Sequence, residues 1–205
     1  MGKDNVKKPF YKRWWFILLV VIVATGVIIP EGDSETDVVD YRVVEKADVS
    51  LGNVKRYDWH IVVNEQVNVE QLKEIAKQVV EKAKGDKDFN ALSIGFYDYE
   101  EFIGHGYVLG SVKYAPEGDW SKAFTVEAGQ YENMDFNYEL REKDWSKQLT
   151  KEEAEIYGAW HKEKDFYPDL SETEISEKVG ERFNLSGDEV YSIIWKHSTW
   201  MFDGD

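Results

Sequence analysis

Residues 68–85 read Asn-Val-Glu-Gln-Leu-Lys-Glu-Ile-Ala-Lys-Gln-Val-Val-Glu-Lys-Ala-Lys-Gly and form the most regular pattern in the chain. Asn68 and Gln71 have the spacing of a capping box, and Gly85 can end a helix in a left-handed conformation. Between them, apolar residues recur at spacings of three and four, which predicts an amphipathic helix. Its apolar stripe is Val69, Leu72, Ile75, Ala76, Val79, Val80 and Ala83. We expect this stripe to lie on a sheet.

The segments on both sides of this helix are typical of β-strands. Residues 41–45 and 53–63 are rich in β-branched and aromatic residues, and Leu51-Gly52-Asn53 between them signals a turn. After the helix, residues 90–97 alternate between apolar and polar, and residues 107–114 give a fourth strand. The order strand, strand, helix, strand, strand predicts an α+β fold, in which one helix covers a small, mainly antiparallel sheet.

The rest of the chain after residue 114 divides into an irregular part and a helical part. Two further strands are possible, at residues 122–127 and 135–139. Three capping boxes follow, at Thr150 with Glu153, Ser171 with Glu174 and Ser186 with Glu189. The sequence therefore predicts an α+β domain over residues 41–145 and a helical segment over residues 146–205. Whether these are one soluble domain or two stays open.

The N-terminus has the pattern of a membrane anchor. Residues 1–13 contain five basic residues and one acidic residue, and residues 14–29 are almost entirely apolar. A helix over residues 10–29 would measure about 30 Å, which matches the hydrocarbon core of a bilayer. We therefore predict a transmembrane anchor over residues 10–30 that contacts the lipid bilayer. A signal peptide cleaved near Ala24-Thr25-Gly26 is the alternative.

The residues at the start of this segment suit a membrane interface. Tyr11, Trp14 and Trp15 can form an aromatic belt, while Lys12 and Arg13 can extend their charges to the headgroups. The positive-inside rule then predicts a cytoplasmic tail over residues 1–13 and an acidic tether over residues 31–40 outside the cytoplasm. The protein is expected in the cell membrane, with a single span and an extracytoplasmic domain.

Composition limits the possible partners and chemistry. The chain has 205 residues, a net charge of −15 and no cysteine. The absence of cysteine excludes disulfides, thiolate metal sites and cysteine nucleophiles. Residues 1–13 are basic, so the remainder is even more acidic than the whole chain, and such a surface repels phosphate backbones. Nucleic acid is therefore not an expected partner.

Sequence motifs of catalysis are missing. The four histidines lack the spacing of a zinc helix, and neither a serine nucleophile elbow nor a phosphate-binding loop is present. Residues 171–202 resemble a helix-turn-helix, but the second helix lacks the basic residues that DNA reading requires. Carboxylates are abundant, as in Asp98, Glu100 and Glu101, without a calcium-loop spacing. The sequence predicts no metal and no cofactor, and it favours a protein that is not an enzyme.

Aromatic residues give the candidate binding site. Trp120, Trp145, Trp160 and Tyr131 could present flat faces to a sugar or anchor a protein partner. The alternative is that these side chains pack in the core.

A family resemblance rests on several segments. They are Asp48–Arg56, Leu72–Ile75, Phe89–Ala91 and Tyr114–Ala123, while Pro9–Phe16 is similar to the start of many anchored proteins of the same bacteria. In these segments the chain resembles an uncharacterised group of small membrane-anchored or secreted proteins of Gram-positive bacteria, which carry a domain of unknown function. The resemblance implies the anchored topology and assigns no functional residue.

Three functional hypotheses follow. The preferred one is a membrane-tethered extracytoplasmic module that binds an envelope protein or glycan. The second is a carboxylate-dependent hydrolase of cell-wall polymers, which needs two carboxylates facing each other across a cleft. The third is an accessory subunit of a membrane complex, in which the span itself packs against a partner.

Overall fold

The computed structural model describes residues 39–106 and 108–202. The predicted anchor over residues 10–30, the cytoplasmic tail and most of the acidic tether lie outside the described residues. The same holds for the expected interfacial residues Tyr11, Lys12, Arg13, Trp14 and Trp15. Within residues 39–106 and 108–202, none of the helices combines the length and the apolar character needed to cross a membrane.

Five strands form one sheet in the order β1-β2-β3-β4-β5. They are β1 (Tyr41–Asp48), β2 (Arg56–Val63), β3 (Ala91–Tyr97), β4 (Gly110–Pro116) and β5 (Met134–Leu140). Neighbouring strands are antiparallel, except that β2 and β3 run parallel. The predicted α+β class and the mainly antiparallel sheet are confirmed. The strand predicted at residues 122–127 is wrong, because Trp120–Thr125 form a 3₁₀-helix that Asp119 caps.

Helix α1 (Val69–Asp86) connects β2 to β3 and covers one face of the sheet. The capping box is present, with Gln71 N donating to Asn68 Oδ1 at 2.9 Å. Leu72, Ile75 and Val79 are buried in the same core as Trp59 and Ile94 of the sheet. Gly85 lies inside the helix, which continues to Asp86 and ends at an extended Lys87. A connection of this kind explains the parallel pair, because the chain must cross back before it starts β3.

Three helices complete the fold, as the capping boxes predict. They are α2 (Lys151–Phe166), α3 (Glu172–Phe183) and α4 (Gly187–Phe202). Phe102, in a 3₁₀-turn over Glu100–Phe102, packs edge-on against Tyr157 of α2 at 5.0 Å between ring centroids. Residues of the helices and of the sheet belong to one hydrophobic core. The described residues 39–106 and 108–202 accordingly belong to one compact unit.

Candidate functional site

A cleft of about 480 Å³ lies at the carboxyl ends of the parallel strands β2 and β3. Val62 and Val63 end β2, and Asp98 and Tyr99 follow β3, so both strands deliver residues to the same edge. In open sheets, ligands bind in crevices outside the carboxyl ends of parallel strands. The crossover through α1 therefore creates the position of the cleft.

Asp98 of the lining belongs to a buried ion pair, and we call Asp98, Lys143 and Gln148 the floor of the cleft. Lys143 Nζ donates to Asp98 Oδ2, and the two side chains are 2% and 1% exposed. Gln148 Nε2 donates to the same carboxylate oxygen at 3.0 Å. Burial lowers the pKa of Lys143, while the neighbouring carboxylate of Asp98 opposes that change. Since an isolated buried charge is costly, each partner makes the burial of the other possible.

The second oxygen of Asp98 is in a different situation. Oδ1 is buried and has no hydrogen-bond partner among the described residues. Buried polar atoms in proteins are nearly always hydrogen-bonded. The floor therefore offers an acceptor for which residues 39–106 and 108–202 supply no donor.

Two aromatic side chains form a fixed wall. Trp145 is half-buried, and its Nε1 donates to Val67 O at 3.0 Å. The Tyr99 hydroxyl donates to Leu149 O at 2.8 Å. Both rings are tied to backbone carbonyls, so the wall is arranged before any ligand arrives. Lys143 Nζ lies 4.7 Å from the centroid of the Trp145 ring, which links the wall to the floor.

Charged residues surround the opening, and acidic ones outnumber basic ones. Arg42 Nη1 and Glu100 Oε2 are 3.7 Å apart and both side chains are more than half exposed. Glu65 and Glu101 are further acidic residues of the lining, and Lys151 is the other basic one. This mixture suits a polar ligand of small size.

Comparison with known proteins assigns most of the chain to one family. The family described as "Domain of unknown function (DUF4875)" matches residues 36–192, which include all five strands and every residue of the cleft. The chain belongs to this family. Comparison with curated proteins and with solved structures found no match. The expected membership of a family with a domain of unknown function is confirmed, whereas its membrane anchoring and its bacterial origin stay predictions.

The four aromatic residues predicted to bind lie in separate places. Trp145 lines the cleft. Trp120 borders a smaller cleft of about 220 Å³ beside Asp58 and Ser93, on the sheet face opposite α1. Trp160 is 3% exposed, and its indole donates to Ser176 Oγ at 3.0 Å. Tyr131 is partly buried, with its ring centroid 5.1 Å from that of Phe89. The structure therefore does not bring the four together.

Residues of the floor were only partly visible in the sequence. Asp98 stands among the abundant carboxylates, but Lys143 and Gln148 come 45 and 50 residues later and no local pattern connects them. The available signal is that Asp98 directly follows a fully buried strand. A charged residue in that position needs a partner from elsewhere in the chain.

Three of the four histidines lie close together beside the 3₁₀-turn Glu100–Phe102. We call Phe102, His105, Tyr157, His161 and His197 the histidine cluster. The rings of His105 and His161 stack at 4.1 Å, and those of Phe102 and His197 at 4.3 Å. Tyr157 contacts both His161 and His197 at 4.4 Å. His161 of α2 and His197 of α4 therefore pack within the helical part of the fold.

Burial dominates the titration of the histidine cluster. It lowers the pKa of His161 and of His197 to about 4, and it lowers that of His105. The same cause raises the pKa of Tyr157 to about 12. These side chains are therefore neutral at pH 7. Within the part of the chain that the structure describes, no group of three or more candidate ligands could hold a metal ion.

The fourth histidine, His60, lies between two carboxylates on the sheet. Its Nδ1 is 3.0 Å from Glu45 Oε2 and its Nε2 is 3.3 Å from Asp58 Oδ2. The hydrogen bond with Asp58 is the largest cause of its raised pKa. Because both ring nitrogens face carboxylates, neither is left to take a proton from a nearby hydroxyl such as that of Ser93. This arrangement is structural and does not form a catalytic triad.

Proposed function

We propose that the chain is a membrane-tethered, extracytoplasmic protein that binds an envelope glycan in the cleft between Val63, Asp98 and Trp145. The observation that carries the proposal is the concave site at the carboxyl ends of β2 and β3, where a fixed indole stands beside polar side chains. Aromatic rings bind the apolar faces of sugars, and polar side chains bind the hydroxyls.

The size and the lining of the cleft favour a glycan over a folded protein. A volume of about 480 Å³ is in the range of small-molecule sites. Asn64, Gln66 and Gln148 supply amide donors and acceptors to the lining. A protein partner would instead use a broad surface with a buried aromatic anchor.

The proposed tether rests on the sequence. The apolar stretch over residues 10–29 follows a basic segment, and the acidic residues 31–37 follow it. An anchor in this position would tether the domain on the outer side of the cell membrane, where envelope polymers are concentrated. Protease treatment of intact protoplasts that carry a C-terminally tagged copy tests the topology. Digestion of the tag from outside supports the proposal, and protection until lysis contradicts it.

Trp145→Ala tests the binding site. We expect about tenfold weaker binding of wall glycan fragments to the full-length protein, because hot-spot tryptophans contribute at least this much. Trp195→Ala is the matched control, since Trp195 is 53% exposed and is not part of the cleft lining. Thermal unfolding of both variants separates a binding defect from loss of structure. Equal binding by the two variants would rule out the cleft as the glycan site.

A carboxylate-dependent hydrolase of wall polymers is the second candidate. One observation favours it: Asp98, Glu100 and Glu101 all line the same cleft. Asp98 is engaged by Lys143 and Gln148, so Glu100 and Glu101 would have to act as the acid and the base. Release of reducing ends from wall glycans by the full-length protein, abolished in Glu101→Gln, would replace the binding proposal with this one.

A further inference from the structure

Strands β1 and β5 are the two edges of the sheet, and they differ in how they are protected. An exposed strand edge can pair with another chain, so native proteins protect such edges with bulges, basic residues or proline. Strand β1 has a bulge between Val43 and Glu45 and carries Arg42 and Lys46. Strand β5 pairs with β4 in an unbroken register of seven residues and contains neither a basic residue nor a proline. The β5 edge therefore lacks the features that protect β1 from pairing.

The outer side of β5 has backbone groups that can accept a further strand. Arg141 N donates to Leu109 O at 3.1 Å just after β5 ends. Because antiparallel ladders alternate, the odd-numbered residues of β5 bond to β4, and the even-numbered ones point their N–H and C=O groups outward. Within residues 39–106 and 108–202, the outward N–H groups of Tyr138 and Leu140 have no hydrogen-bond partner. An added strand would supply acceptors for them.

The two faces of the sheet differ along this edge. Phe136 and Tyr138 lie on the face that α1 covers, with their rings stacked at 5.5 Å between centroids and a lysine of α1 over the Tyr138 ring. Asp135, Asn137 and Glu139 are exposed on the other face. A strand that adds to β5 would therefore place alternate side chains beside aromatic rings and beside carboxylates.

The charge of this edge favours a basic partner. Four acidic side chains are exposed in and beside β5, namely Glu132, Asp135, Glu139 and Glu142. Arg141 is the basic residue of the same stretch, and Lys113 of β4 pairs with Glu139 at 2.8 Å. The acidic side chains outnumber these two basic ones. Basic side chains of an added strand would therefore be attracted to the exposed face.

A second copy of the chain fits this edge poorly. Antiparallel pairing of two β5 strands about Asn137 would place Asp135 of each strand opposite Glu139 of the other. Like charges directly opposite each other destabilise a sheet. The whole chain also carries a net charge of −15, so two copies repel each other. Charge therefore favours a different, basic chain.

We infer that β5 is a docking edge, to which an extended basic segment of a partner protein adds as a sixth strand. The segment alternates basic residues, which face Asp135 and Glu139, with apolar residues, which lie beside Phe136 and Tyr138. Backbone hydrogen bonds supply the affinity and the alternate side chains supply the selectivity. The described lining residues of the glycan cleft all lie outside β5, so this inference does not depend on the proposed function.

A synthetic peptide tests the strand pairing. The full-length protein is titrated with the acetylated and amidated peptide Lys-Val-Lys-Val-Lys-Val-Lys, and amide hydrogen exchange is followed residue by residue. We expect slower exchange at Tyr138 and Leu140 in the complex, because the added strand accepts hydrogen bonds from their N–H groups. The amides of β1 are the internal control and should exchange at unchanged rates. Absence of binding, or binding without slower exchange in β5, would overturn the inference.

Charge reversal tests the acidic face. Asp135→Lys combined with Glu139→Lys should weaken binding of the peptide about tenfold, because two attractions become repulsions. The matched control is Glu155→Lys combined with Glu181→Lys, since both residues are exposed on helices, and it should bind as the wild type does. If the control weakens binding equally, the attraction is general and the inference is wrong.

Thermal unfolding of both double variants separates a binding defect from loss of structure. Asp135→Lys alone leaves the ion pair of Glu139 with Lys113 intact, and it replaces the double variant if that one unfolds. A folded Asp135→Lys variant that binds the peptide as tightly as the wild type does would contradict the acidic docking edge.

Two further measurements identify the occupant. The peptide Lys-Lys-Lys-Lys-Val-Val-Val has the same charge and composition without the alternation, so we expect it to bind about tenfold more weakly. Equal binding of the two peptides would show that charge alone acts, against strand addition. Sedimentation of the protein alone tests for a second copy. A dimer in which the outward amides of β5 exchange slowly would make the chain its own partner and overturn the inference.

Discussion

The floor of the cleft and the histidine cluster bury ionisable groups in opposite ways, although residues 98–105 contribute to both. In the floor, Asp98 and Lys143 form a buried ion pair, in which each partner compensates the other. In the cluster, His161 and His197 are kept neutral, because burial lowers the pKa of each to about 4. The positive charge of Lys143 is a further cause of the lowered pKa of His197. The charge of Lys143 therefore helps to keep His197 uncharged.

This difference shows two ways in which the fold can bury ionisable side chains that have no catalytic role in a known motif. A buried pair is costly to break, because removing one partner leaves the charge of the other buried and uncompensated. A buried neutral histidine does not destabilise the fold at pH 7, but it lowers the free energy of unfolding in acid, because the unfolded chain takes up the proton more readily. The two regions are therefore expected to fail under different conditions.

The largest expected effect comes from breaking the ion pair. Lys143→Met leaves the Asp98 carboxylate buried without its cation, and we expect a loss of about 3–5 kcal/mol in the free energy of unfolding. The double change Asp98→Asn with Lys143→Met should cost much less, because no uncompensated charge remains. Urea unfolding at pH 7 measures both. Equal destabilisation by the single and the double variant would show that packing, and not charge, decides the stability of the floor.

Acid should act on the histidine cluster next. The pKa of His197 is about 4 in the folded protein and about 6.5 unfolded, so the unfolded chain binds more protons between these values. The stabilisation is present above pH 6.5 and is lost as the pH falls toward 4. For His197, which is 2% exposed, this amounts to about 3 kcal/mol at pH 4. Urea unfolding at pH 7, 5.5 and 4.5 measures it.

His197→Phe is the control for this acid effect. Phenylalanine retains a ring against Phe102 but cannot take up a proton, so the variant should lose less stability than the wild type on acidification. His161 contributes in the same direction. His60 has a raised pKa and contributes with the opposite sign, because its stabilisation is present below pH 6.5 and is lost as the pH rises. Identical pH profiles for wild type and His197→Phe would contradict the neutral buried histidine.

The same contrast between local and distant partners explains what the sequence could predict. The capping boxes at Asn68, Thr150 and Ser171 were predicted because their partners lie three residues away. The apolar stripe of α1 was predicted for the same reason, since one helix contains its whole period. The parallel pairing of β2 with β3 was not, because it depends on how α1 crosses the sheet. Strand alternation does not reveal strand direction.

The candidate site depended on longer distances and was predicted only in part. Trp145 was predicted as a binding residue from the sequence, and it lines the cleft. The partners of Asp98 come 45 or more residues later in the chain. The three histidines of the cluster come from three separate elements. Contacts of this kind follow from packing, which neither composition nor periodicity contains. The cleft itself follows from the parallel pair and was missed with it.

The smallest expected effect tests how tightly the turn that joins the two regions is held. A Cβ added at Gly158 of α2 would lie 3.0 Å from Glu101 Cβ, so Gly158→Ala must push the 3₁₀-turn between cleft and cluster. We expect a loss of about 1–2 kcal/mol. Gly85→Ala is the matched control in α1, where nothing lies within 4 Å and alanine should stabilise the helix by about 0.5–1 kcal/mol. Urea unfolding of both at pH 7 gives the comparison. If Gly158→Ala does not lower the free energy of unfolding any more than Gly85→Ala does, the turn can shift without loss of stability. The turn would then not couple the cleft to the histidine cluster.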